Sequence, residues 1–115
     1  MSEHNTLLYL SDIREAIEKI NEFVSSMSFE AFSRDARTID AVVRNIEVIG
    51  EAARHIPEPL RLAYPTVPWK QVVGARDKVV HEYFGIDLEV IWKTIQDDLP
   101  VLKREIDLMI KAQQK

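Results

Sequence analysis

The run Asp35-Ala36-Arg37-Thr38-Ile39-Asp40-Ala41-Val42-Val43-Arg44-Asn45-Ile46-Glu47-Val48-Ile49-Gly50-Glu51-Ala52-Ala53 sets the architecture. Its apolar residues Ile39, Val42, Val43, Ile46, Ile49 and Ala53 recur at steps of mostly three and four. At about 3.6 residues per turn, that spacing lays one apolar stripe along a helix. Asp35 stands where a capping carboxylate belongs, and Pro57 and Pro59 close the run. A helix with one greasy side needs neighbours to cover it.

The flanking sequence supplies them. Leu10, Ile13, Ile17, Ile20 and Val24 follow the same spacing and predict a helix from Leu7 to about Met27. Ser28 opens a short segment containing Phe29 and Phe32. The stretch from Glu58 to Pro68 holds three of the five prolines and reads as a loop with one helical turn at Pro59–Tyr64. Pro68 suits the first position of a third helix through Trp69, Val72, Val73, Val79 and Val80, and Gly85 suits its stop. Asp87 caps a last helix with Leu88, Ile91, Ile95, Leu99, Leu102, Ile106 and Met109, in which Pro100 forces a kink or break. Alternation of period two is absent. The fold class is all-α, an antiparallel bundle of four to five helices.

Composition narrows the function. The 115 residues are 46% apolar and 30% charged, the mixture of one globular domain spanning 1–115. With no cysteine there is no disulfide, thiolate zinc site or cysteine nucleophile. No apolar run reaches the roughly 18 residues of a membrane span. Met1-Ser2-Glu3-His4-Asn5 lacks the basic and apolar regions of a signal peptide, so the expected location is the cytoplasm. None of the three glycines sits in a phosphate-cradling pattern. The net charge of −4 argues against a general nucleic-acid binder, yet Arg54 to Ile86 is the one positive third of the chain.

That third contains a residue out of place. On a wheel turning about 100° per residue from Trp69, Arg76 falls near about 340°, amid the apolar arc of Val72, Val73, Val79, Val80 and Phe84. Tyr83 falls near about 320°, beside it. A guanidinium there is either paired within the chain, with Glu47 or Glu51, or turned to an interface. His81 is five residues on, about 140° away on an unbroken helix. The two converge only if the helix distorts near its end or if two copies meet across a two-fold axis. Alone, His81 would read as a solvated helix-end residue, and Tyr83 as packing beside Phe84. Trp69 and Trp92 read as core or dimer anchors. His81 and Asp77 are too few for a metal, and no cofactor is implied.

A histidine and an arginine are the minimum for cutting RNA without metal. The imidazole moves a proton to or from the 2′-hydroxyl or the leaving oxygen. The guanidinium stabilises charge on the phosphorus oxygens. A symmetric dimer supplies a second pair.

Arg76-Asp77-Lys78-Val79-Val80-His81-Glu82-Tyr83-Phe84-Gly85-Ile86-Asp87 resembles the R-x4-H-x-Y signature of the HepT-like branch of the HEPN superfamily. Arg44-Asn45-Ile46-Glu47-Val48-Ile49-Gly50-Glu51-Ala52 is similar to that family's second-helix block, and Pro68-Trp69 and Asp98-Leu99-Pro100 match in order. The resemblance implies a small helical homodimer with its motifs facing across a cleft. It implies a metal-independent endoribonuclease acting on RNA, the toxin of a type VII toxin–antitoxin pair. The implied partner is a minimal nucleotidyltransferase, MntA in this family, which silences the toxin by adenylylating the motif tyrosine. Carried onto this chain, Arg76 and His81 are catalytic, Asp77 orients one of them, and Tyr83 is the modification target. Two other readings stand beside it. One is a non-catalytic binding module for the nucleotidyltransferase, and the other a structural dimer in which Arg76 pairs with a carboxylate.

Overall fold

In the computed structural model the backbone is described for residues 3–81 and 87–114, and side chains for residues 5–75 and 87–114. The helices run α1 (Glu3–Phe23), α2 (Phe29–Ser33), α3 (Ala36–Arg54), α4 (Glu58–Leu62), α5 (Trp69–His81), α6 (Leu88–Lys93) and α7 (Leu99–Gln113), with a π-helical turn, Thr94–Asp98, joining the last two. Four long runs form the bundle: α1, α3, α5 and the α6–α7 run. The five-residue helices α2 and α4 fill the connections.

The central element is α3. It packs against α1 on one side and α5 on the other, and α1 in turn packs against α7. The stripes read from the sequence supply these contacts. Leu10, Ile13, Ile17 and Ile20 of α1 are fully buried, and they meet Val42 and Ile46 of α3 and Ile106 and Met109 of α7 in one core. Phe32 of α2 is equally buried and stacks at a tilt on Trp92, with ring centres 5.1 Å apart. Phe29 meets the same Trp92 edge-on at 6.3 Å. Trp92 therefore ties α2 to α6 within one protomer.

Helix ends follow their caps. The Asp35 carboxylate accepts from the Thr38 amide at 3.1 Å, and Ser28 Oγ accepts from the Ala31 amide at 3.1 Å. Asp87 accepts from the amides of Glu89 at 3.0 Å and Val90 at 3.4 Å. Each satisfies an amide that the first helical turn leaves open. The first helix ends at Phe23, before the expected Met27, because the chain turns through Ser26 at φ 66°. Val24 and Met27 continue the apolar spacing but pack from the turn, which is why the pattern overran the helix.

The break expected at Pro100 takes a definite form. Proline lacks the amide for the residue four before it, and its ring crowds that carbonyl. The chain answers one turn earlier, where Leu99 donates to the Thr94 carbonyl in the wider π spacing. Pro100 then sits in the first turn of α7, where its missing donor costs nothing. Among the described residues, no helix is long and apolar enough to cross a membrane.

Two outcomes are expected in urea titrations. Ile106→Ala, at a fully buried position between α1 and α7, lowers stability by about 2–5 kcal/mol. The hydrogen bond from Thr38 holds the Asp35 carboxyl below its ordinary value of 3.8. A depressed folded value means that Asp35 stabilises the fold fully above that ordinary value and loses the effect as pH falls through the folded one. Asp35→Asn keeps a cap acceptor and flattens that acid limb of the stability profile.

Candidate active site

Helix α5 carries the motif. Its start is pinned by Trp69, a buried ring whose Nε1 donates to the Tyr64 carbonyl at 3.1 Å. Pro68 precedes it, one residue outside the helix, and its carbonyl accepts from Val72 at 3.0 Å. Trp69 is thus a core anchor of its own protomer.

The backbone of α5 remains α-helical through His81, so Arg76, Asp77 and His81 all stand on it. Their side chains, and Tyr83 altogether, lie outside the described residues. Register alone is informative. Arg76 is two turns beyond Trp69, close to the register of that buried ring. His81 stands about 140° from Arg76 and about 7.5 Å further along the axis. Up to His81 no distortion folds these two registers together. Asp77 and His81, four apart, share a face.

On α3, Arg44 is exposed and Glu47 is half-buried. The Glu51 carboxylate lies 3.5 Å from His55 Nε2 and 3.9 Å from the Arg54 guanidinium, both on its own helix. The His55 ring stacks on Tyr9 of α1, with centres 4.8 Å apart. In the described contacts Glu51 therefore serves the end of α3 and its seam with α1. Among the described residues, no group of three histidines or carboxylates is placed to hold a metal ion.

A groove of about 1020 Å³ runs beside α5. Ile46 and Ile49 of α3, with Leu99 and Leu102 of α7, form its apolar lining. Lys70, Gln71 and Gly74 line it from α5, and Asp87 and Asp98 from the other side. Gly74 is the feature that composition concealed. A glycine inside a helix costs roughly 0.5–1 kcal/mol against alanine. Here φ is not positive, and a Cβ built on Gly74 meets nothing within 4 Å among the described residues. Among the described residues, neither backbone conformation nor packing asks for glycine there. The signal in the sequence was a glycine two residues before the out-of-place arginine.

A second concavity, of about 420 Å³, lies between α1 and α7. Asp107 there takes Lys103 at 3.0 Å and Arg14 at 4.0 Å. Exposed pairs of this kind contribute little.

The sequence family agrees with the motif. The family model described as "Ribonuclease HepT-like" matches residues 13–109. The chain belongs to this HEPN-like HepT family. Among the relatives of this HepT-like chain, "Probable ribonuclease HepT" of Thermococcus cleftensis is 45% identical over 103 residues, covering 90% of this chain and 94% of its own. "Putative RNase MJ0127" of Methanocaldococcus jannaschii is 40% identical over 111 residues, covering 96% and 92%. "Putative RNase TTE0752" of Caldanaerobacter subterraneus is 38% identical over 105 residues, covering 91% and 94%. No solved structure gives a significant match.

Trp69→Phe keeps the buried ring and deletes the bond to Tyr64. The expected loss is about 1 kcal/mol in urea unfolding. A loss no larger than that of an exposed substitution would mean that the indole N–H does not anchor the motif helix.

Proposed function

We propose that the chain is a metal-independent endoribonuclease, acting as one domain in the cytoplasm, and the toxin of a type VII MntA/HepT-like pair. The observation that carries the reading is the run Arg76–Asp87, which begins on α5, in a chain of the HepT-like family. Relatives of nearly equal length named as ribonucleases support it.

The chemistry follows from the residue types. A 2′-hydroxyl attacks the adjacent phosphorus, and His81 takes its proton. The 5′-oxygen of the next nucleotide leaves with a proton, and the strand ends in a 2′,3′-cyclic phosphate. Arg76 stabilises the added charge on the phosphorus oxygens. Asp77, one turn from His81, orients the imidazole. The registers of Arg76 and His81, about 140° apart, support a site shared between two copies. In a two-fold dimer, one copy's arginine and the other's histidine reach the same phosphate, and the second histidine serves as the acid.

Tyr83 is the point of control. In the partner's reaction its hydroxyl attacks the α-phosphorus of ATP, pyrophosphate leaves, and AMP stays on the ring. The new phosphate then competes for Arg76, two turns earlier in the motif, and occupies space that RNA needs. The net charge of −4 favours the other reading, a binding module that presents α5 to the nucleotidyltransferase without cutting anything.

One assay separates them. The purified protein in EDTA cuts single-stranded RNA and leaves cyclic phosphate ends. Arg76→Ala and His81→Ala each reduce the rate by about a hundredfold or more while the helical circular dichroism is kept. Unimpaired cutting by both variants removes the assignment, and no cutting with tight partner binding selects the module. After co-expression with its nucleotidyltransferase, intact mass rises by whole AMP units, and Tyr83→Phe abolishes the gain.

A further inference from the structure

Among the described residues, nothing lies within 4 Å of a Cβ built on Gly74, and Lys70 and Gln71, about one turn before it on the motif helix, are long and polar. Lys70, one turn before it, is exposed and has no ion pair or hydrogen bond among the described residues. Gln71 is exposed in the same way. Lys78 follows Gly74 by four residues and His81 by seven, so both fall close to its register. By register, one side of α5 carries Lys70, Gly74, Lys78 and His81, each step about one turn and about 4.5–6 Å along the axis, with Asp77 also on the His81 side. Charge, gap, charge and imidazole are a track for an extended anion that ends at the reactive group.

A protein surface seated on Gly74 would have to desolvate Lys70, which has no acid within one turn of it along the chain to pair with. A phosphodiester chain instead satisfies the ammonium and uses the missing Cβ to come close to the helix. Asp87 and Asp98 on the other side of the groove repel such a chain and hold it to the α5 side.

We propose that this register of α5 is the RNA-positioning track, with the strand's backbone seated against Gly74 and a phosphate one or more steps from the scissile one held by Lys70. The proposal rests on the ribonuclease reading above and adds positioning residues to it. Lys70 and Gly74 act on how the strand lies, and the bond-breaking step belongs to Arg76 and His81.

The test uses the full chain and a fluorescein-labelled 2′-O-methyl RNA, which binds but lacks the attacking hydroxyl. Anisotropy is read over a salt series. Lys70→Ala lowers the slope of log affinity against log salt by about 0.7, the share of one single-strand phosphate. With cleavable RNA the same variant raises KM several-fold and keeps kcat. Gly74→Leu weakens binding by about tenfold or more, because the side chain holds the strand off the helix. Gly74→Ala guards against misfolding as the explanation, since it raises the melting temperature yet still weakens RNA binding. Wild-type affinity and slope in all three variants overturn the proposal. So does a Gly74→Leu protein that light scattering shows to be monomeric beside a dimeric wild type, because the face then belongs to a second copy. If the wild type neither binds nor cuts RNA, the ribonuclease reading fails together with this one. If it cuts and the variants match it, only the track is lost.

Discussion

Helix α3 has to cover its apolar stripe from two sides at once. It does so with α1 on one flank and α5 on the other. Everything else is arranged around that demand. The α7 helix closes the far side of α1, and the short α2 seals the end of the bundle through Phe32 and Trp92. Without α3 between them, α1 and α5 would each expose a continuous greasy face. The stabilisation is therefore mainly aliphatic. Described ion pairs such as Lys19–Glu15 and Arg34–Glu30 are exposed and local, and pairs of that kind contribute at most a few tenths of a kcal/mol, roughly.

This arrangement gives α5 an uneven environment. It packs on α3, while Lys70, Gln71 and Gly74 border the groove that α3 and α7 also line. Trp69 fixes its start by burial and by the bond to the Tyr64 carbonyl, so the registers that follow are set by rigid helical geometry. Arg76 and His81 then diverge by about 140°. An active site using both must draw on more than one face of one helix, and symmetry between copies is the economical way to do so.

The sequence was legible where periodicity and caps speak to short range. The stripes of α1, α3 and α7, the caps at Asp35 and Asp87, and the disturbance at Pro100 all rest on contacts within a few residues. It misled where the apolar spacing outlasted the helix. Val24 and Met27 keep their step of three beyond Phe23, but the turn through Ser26 redirects them. Gly74 was passed over because the glycines were weighed only as phosphate loops or a helix stop, and its significance depends on which described atoms approach it.

Local chemistry was enough to specify an all-helical chain, its main stripes, and a motif of arginine, histidine and tyrosine ordered as in the HepT-like family. Those features depend on residues three to seven apart, and the α-helix fixes their geometry by itself. Which helices become neighbours, that α5 rests chiefly on α3, that a groove lies beside Gly74, and that Glu51 meets His55 and Arg54 came only with the fold. Such relations join segments tens of residues apart, and packing three-dimensional shapes against one another, rather than spacing along the chain, selects them.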